Sequence, residues 1–129
     1  MKVLYVEDND DDVYMLKTRL ELLGDFEVVT ARNGEKGCEL AVGERPDIII
    51  MDLEMPVMDG WEAARWLKSE PQTRDIPIVA LSAHALVGER EKAFAAGCDA
   101  FDAKPIQFER LLATLRRLGR AASDGAGRS

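Results

Sequence analysis

Five short apolar or β-branched runs alternating with five helix-like segments predict an α/β fold, a doubly wound sheet of five parallel strands. Three observations carry that prediction. The run Ile48-Ile49-Ile50-Met51 has no polar alternation, the pattern of a strand covered on both faces. The runs stop at polar residues, Glu7-Asp8, Asp52, Ser82 and Lys104, as strands do when they emerge at one rim. The 129 residues, 47% apolar and 32% charged, suit one domain with a single substantial core.

In chain order, residues 2–6 form the first strand and run into Glu7-Asp8-Asn9-Asp10-Asp11-Asp12, five acids within six residues. A helix follows with Val13, Leu16, Leu20 and Leu23 on one face, Asp11 and Asp12 in its positive first turn and Gly24 as its stop. Residues 27–31 are the second strand. Asn33 caps a weaker helix over 34–42, interrupted by Gly37. The third strand spans 47–52. Asp59 then caps a helix to residue 69 that can bury Ala63, Ala64 and Leu67, with Trp61 and Trp66 on its margins. Residues 76–81 make the fourth strand, ending at Ser82, its proline near the start where pairing tolerates it. A charged, sparsely apolar helix over 86–96, stopped by Gly97, packs weakly. Residues 99–103 are the fifth strand. Phe108, Leu111, Leu112, Leu115 and Leu118 mark the cleanest amphipathic helix, which Gly119 is expected to end. The domain thus spans 1–119, with a flexible tail over 120–129.

Parallel neighbours need right-handed crossovers, and at this size the flavodoxin-like (βα)5 order 2-1-3-4-5 is expected. Strands 1 and 3 are then adjacent where the winding reverses, so Asp8 and Asp52 lie side by side, joined by Ser82 from strand 4 and Lys104 from strand 5. Glu7, Asp8 and Asp52 repel one another, and a hard cation such as Mg2+ relieves this. Lys104 offers a fixed cation and Ser82 a hydroxyl to carboxylate or phosphoryl oxygens. A carboxylate can itself accept a phosphoryl group, and Mg2+ with Lys spreads the charge in transfer.

Composition excludes other classes. The formal net charge of -7 argues against a nucleic-acid surface, and the cluster Arg110, Arg116, Arg117 and Arg120 suits a solvated helix face. No apolar stretch is long enough for a bilayer, and Glu7-Asp8 cut the opening apolar run too short for an export signal. Cys38 and Cys98 lack metal-ligand spacing and read as reduced, semi-buried thiols of a cytoplasmic protein.

The segments Val3-Leu4-Tyr5-Val6-Glu7-Asp8, Asp52-Leu53-Glu54-Met55-Pro56, Met58-Asp59-Gly60, Leu81-Ser82-Ala83 and Lys104-Pro105 together resemble those of two-component response-regulator receiver domains of the chemotaxis-protein (CheY-like) type. The resemblance spans residues 1 to about 119. It implies Asp52 as phosphoacceptor, Mg2+ (or Mn2+) held by Asp8, Asp52 and the Glu54 carbonyl with Glu7 assisting through water, and Ser82 and Lys104 on the phosphoryl oxygens. It further implies a phosphohistidine donor on a sensor histidine kinase or histidine phosphotransfer protein, and self-phosphotransfer with autodephosphorylation rather than turnover. Output to a downstream protein would pass through helix 4, strand 5 and helix 5, from a monomer or a phosphorylation-promoted homodimer.

Departures from the family pattern are Glu7 where an aspartate is commoner and Phe101 at the aromatic switch position often held by Tyr. Glu54 and His84 stand where the family tunes water access to the phosphoryl group. His84, the single histidine, is read as a solvated or paired imidazole rather than a phosphohistidine or ligand. Met1 directly before the first strand favours a stand-alone receiver; a receiver fragment of a larger regulator or hybrid kinase is the alternative. A haloacid-dehalogenase-type phosphatase also uses an aspartyl phosphate, but it needs Asp two residues after the nucleophile, where this chain has Glu54, and the chain is short for that fold.

Overall fold

In a computed structural model, the described residues are 1–55, 58–84 and 86–128, the side chains of 120–128 excepted. Pro56 of the expected motif, Ser129 and the Arg120 side chain of the basic cluster lie outside what is described; the backbone of 120–128, expected as a tail, continues the last helix. The elements alternate strictly: β1 (Lys2–Val6), α1 (Asp10–Leu22), β2 (Glu27–Ala31), α2 (Gly34–Glu44), β3 (Ile48–Asp52), α3 (Gly60–Ser69), β4 (Ile78–Ser82), α4 (Glu89–Ala95), β5 (Ala100–Ala103) and α5 (Phe108–Arg128). The sheet is parallel with order β2-β1-β3-β4-β5, as expected.

Pleat parity divides the core into two layers. Leu4, Val6, Ile49, Met51, Ile78 and Ala80 face α2, α3 and α4, meeting Cys38, Ala41, Ala63, Ala64, Leu67, Ala93 and Ala96. Val3, Tyr5, Ile48, Ile50, Val79 and Leu81 face α1 and α5, meeting Leu16, Leu20, Leu111, Leu112 and Leu115. β3 and β4 are buried along their whole lengths, which explains their unalternating sequences.

Side chains start three helices, accepting backbone N–H groups that have no partner within the helix. Asn9 accepts from Asp12, Asn33 from Lys36 and Asp59 from Glu62, each at 2.9 Å. Other boundaries differ from expectation for local reasons. Leu23 falls at the C-cap of α1 and is 45% exposed instead of joining the buried face. α2 runs to Glu44, where Arg45 caps it with left-handed backbone at φ 50°. β4 begins at Ile78, because Pro77 has no N–H to pair; the Pro77 carbonyl accepts the Ile49 N–H instead. α4 begins at Glu89, after Gly88 with φ 91°. Gly119 does not end α5: it is buried, and a Cβ there would lie 2.7 Å from the Met1 sulfur, so the missing side chain makes room for the chain's first residue.

The two cysteines are free and more deeply buried than expected, at 6% and 5% exposure. Burial pushes the Cys38 thiol up to about 11 and the Cys98 thiol up to about 12, so both are protonated. The Arg residues of the late basic cluster that are described, Arg110, Arg116 and Arg117, are exposed; Arg110 pairs with Asp102 and Arg116 with Asp25. No described helix is long and apolar enough to cross a membrane.

Candidate functional site

The carboxyl ends of β1, β3, β4 and β5 meet at one rim, and strand parity sorts their terminal side chains. Glu7 continues the face of Tyr5, Asp52 that of Ile50, and Lys104 that of Ala100, all on the α1/α5 side. Ser82 continues the face of Ala80, and Phe101 packs on that same α3/α4 side. The acids therefore meet the lysine, and the hydroxyl lies across the sheet from them.

Lys104 Nζ lies 2.5 Å from Glu7 Oε1, 3.2 Å from Asp52 Oδ2 and 3.7 Å from Asp12 Oδ2. Glu7 and Asp52 are 1% and 3% exposed. Glu7 Oε1 also accepts the Tyr5 hydroxyl at 3.4 Å, while Oε2 accepts the backbone N–H groups of Asp8 and Asn9 at 3.1 and 3.2 Å. Both oxygens of the Glu7 carboxylate thus accept from protein donors. The Glu54 N–H donates to Asp52 Oδ1 at 3.1 Å and fixes the rotation of that carboxyl. Gly60 lets α3 start directly against the end of β3, because a Cβ there would collide with the Asp52 carbonyl oxygen and lie 2.7 Å from Leu53 Cα.

The electrostatics are asymmetric. Burial, then the Glu7 carboxylate beside it, push Asp52 up to about 7, with Lys104 opposing. Burial acts on Glu7 in the same sense but is outweighed by hydrogen bonds from Asp52 and Lys104 and by the Lys104 charge, which hold Glu7 below the usual range. Burial disfavours the Lys104 ammonium, yet its bond to Glu7 and the charges of Asp52 and Glu7 raise it above its ordinary value. The Tyr5 phenol is raised chiefly by burial, then by the charge of Glu7.

Glu7, Asp8 and Asp52 each present an oxygen within 4.8 Å of the others. This all-oxygen set, one member exposed to solvent, fits a hard divalent cation that keeps part of its water. Glu7 is engaged by Lys104, Tyr5 and two backbone N–H groups, so Asp8 and Asp52 are the carboxylates with most room for such an ion.

Ser82 is fully buried, and its Oγ donates toward Glu54 Oε1 at 2.8 Å and makes a short contact with Glu89 Oε2. The backbone N–H groups of Ala83 and His84 donate to Glu54 Oε2 and Ser82 Oγ, both at 3.2 Å. Glu54 is therefore bound through its side chain and not poised over Asp52 as a proton donor. His84 is exposed, and Phe101 is half-buried. The Lys104–Pro105 peptide is cis. Three contributors escaped sequence reasoning, Tyr5, Asp12 and Glu89, while Glu54, singled out for its place beside the acceptor, takes Ser82 and Ala83 as its partners. Tyr5 was discoverable, since it shares a strand face with Glu7; Glu89, seven residues beyond Ser82, carried no signal.

Comparison with known proteins matches residues 3–116 to the response regulator receiver domain. The polar-differentiation response regulator DivK of Brucella anthropi is 36% identical over 114 residues, covering 88% of this chain and 92% of the relative. Among solved structures, the receiver domain of a Pseudomonas aeruginosa sensor histidine kinase, with a magnesium ion coordinated in its active-site cleft, is 35% identical with TM-score 0.84, covering 92% and 96% of the two chains. The Vibrio cholerae chemotaxis protein CheY4 is 32% identical with TM-score 0.83, covering 91% and 97%.

Proposed function

Because the chain belongs to the response-regulator receiver family, we propose that Asp52 accepts a phosphoryl group from a phosphohistidine of a sensor histidine kinase or histidine phosphotransfer protein. The observation that carries this reading is the convergence of buried Asp52, Glu7 and Lys104 beside exposed Asp8 at one rim of the sheet.

In the transfer, an Asp52 carboxylate oxygen forms the new O–P bond as the P–N bond of the donor breaks and its electron pair returns to the imidazole. The nucleophile must be ionised, so the elevated pKa of Asp52 restrains the metal-free protein. Asp8, Asp52 and the Glu54 carbonyl would hold Mg2+ or Mn2+, with Glu7 reaching it through water. That cation would supply the charge that ionises Asp52 and offsets charge on the phosphoryl oxygens. Lys104 moves from the Asp52 carboxylate to a phosphoryl oxygen while Glu7 retains its hold on the ammonium. The Glu54 N–H keeps Asp52 oriented.

Phosphorylation then biases a pre-existing equilibrium. Ser82 turns to the phosphoryl oxygens, Phe101 follows into the space vacated, and the surface of α4, β5 and α5 presents a different face to a downstream protein. Phe101 lacks a phenolic hydroxyl, so this movement rests on packing alone. Glu54 and His84, flanking the acceptor and Ser82, set the approach of hydrolytic water. The cytoplasm is the compartment in which such a donor is met.

Intact-protein mass after incubation with acetyl phosphate or phosphoramidate tests the reading. One Mg2+-dependent, acid-stable, base-labile phosphoryl on the parent and none on Asp52→Ala is the expected result. No gain on folded parent protein would overturn it.

A further inference from the structure

Among the described residues between β4 and α4, polar contacts outweigh packing. Leu86 and Val87 are exposed, at 65% and 106%. Gly88 begins α4 from left-handed backbone and provides no side-chain cap. The anchoring comes from two carboxylates that converge on one hydroxyl. Glu89 Oε2 contacts Ser82 Oγ and accepts the Leu86 N–H at 3.4 Å. Glu54 Oε1 lies 2.8 Å from the same Oγ, with Oε2 on the Ala83 N–H. A serine hydroxyl carries a single proton, so these carboxylates compete for it.

We propose that Glu89 is a positioning residue that latches Ser82 and the start of α4 in the resting arrangement, and that phosphorylation of Asp52 opens this latch. The inference rests on the phosphoacceptor reading of Asp52 and adds to it the contact that must break. A phosphoryl group brings negative charge and strong acceptor oxygens to the rim. It competes with Glu89 for the Ser82 proton and repels the Glu89 carboxylate.

Glu54 and Glu89 differ in how firmly they are kept. Glu54 is tied through its backbone N–H to Asp52 and through its carboxylate to Ala83. Glu89 belongs to a seven-residue helix whose one buried residue is Ala93. Glu89 is thus the carboxylate that yields. Its departure also releases the Leu86 N–H, which frees the entry to α4 while Ala93 holds the helix body. Lys92 Nζ, one turn further on, lies 4.5 Å from the centre of the Trp61 ring, which makes Trp61 a built-in reporter of α4.

The test is a titration of the full chain with beryllofluoride in Mg2+, read by Trp61 fluorescence in a Trp66→Phe background. Removing the latch removes a hydrogen bond that binding must break, so Glu89→Ala should lower the half-saturating concentration about threefold to tenfold. Glu91→Ala deletes the same charge from the same helical turn and should shift it less than about twofold. In the anion-free protein, amide exchange at His84 and Leu86 should accelerate in Glu89→Ala and stay at the parent rate in Glu91→Ala. Glu89→Gln, which keeps a hydrogen-bonding group, should restore most of the parent protection. If the parent binds beryllofluoride and Glu89→Ala matches Glu91→Ala in both measurements, the latch is overturned and the phosphoacceptor reading stands. If the folded parent binds none, the phosphoacceptor reading falls and takes the latch with it.

Discussion

Lys104 and Asp52 stand 52 residues apart in the chain, yet the ammonium of one lies 3.2 Å from the carboxylate of the other, with Glu7 Oε1 closer still at 2.5 Å. One cation thus serves two buried acids. The protein's own side chains leave the charge at this site incompletely balanced, and its response to mutation, pH and metal follows from that.

Substituting Lys104→Met preserves the aliphatic stem but leaves Glu7 and Asp52 facing each other without a cation. Breaking a buried ion pair from one side costs about 3 kcal/mol or more. Urea unfolding at pH 8 should show that loss. At pH 5 it should be smaller, because Asp52, with its pKa near 7, is then protonated.

The pH dependence of stability has a definite sign. Asp52 is raised from 3.8 to about 7 in the folded protein, so its contribution is complete below pH 3.8 and is lost as pH rises through 7. Glu7, shifted downward, contributes with the opposite sign. Comparing the parent with Asp52→Asn therefore isolates Asp52. Without metal, Asp52→Asn should be more stable than the parent by about 4 kcal/mol at pH 8, and that gap should narrow towards pH 4.5 in chemical denaturation.

Divalent metal should offset part of the penalty. At tenfold excess over its dissociation constant, Mg2+ should stabilise the parent by about 1.4 kcal/mol, seen as a higher thermal midpoint at pH 8. Asp8 is exposed, so Asp8→Asn should leave the metal-free midpoint close to the parent's while removing most of the Mg2+ effect. An undiminished Mg2+ response in that variant would exclude Asp8 as a ligand.

Gly60→Ala forces a methyl group into the end of β3. The atoms it meets are backbone atoms of Asp52 and Leu53, which cannot move aside as a flexible side chain would. Overpacking of this kind costs about 1–3 kcal/mol. Beyond the drop in urea midpoint, phosphorylation by acetyl phosphate should slow, because the displaced backbone carries Asp52.

Much of this was legible in the chain itself. The β-branched runs, the capping residues Asn33 and Asp59 and the polar stops at Asp52, Ser82 and Lys104 are local signals, and local signals survive folding when packing agrees with them. Other boundaries were not legible. A glycine usually ends a helix, but at Gly119 the missing side chain is filled by Met1, a contact across the full length of the domain. Glu89 looked like one more acid on a charged helix, because nothing local marks a carboxylate that will meet a hydroxyl seven residues earlier.

By itself the sequence determined the five-stranded parallel order and the identity of the residues at the rim, since strand patterning and right-handed crossovers leave few other arrangements. Only the tertiary structure decided how those residues pair. Strand parity carries Glu7, Asp52 and Lys104 to the α1/α5 side and Ser82 to the α3/α4 side, where Glu54 and Glu89 take its hydroxyl. Distances of a few ångströms between side chains far apart in sequence are set by packing of the whole domain, and on those distances the balance of charge at Asp52 depends.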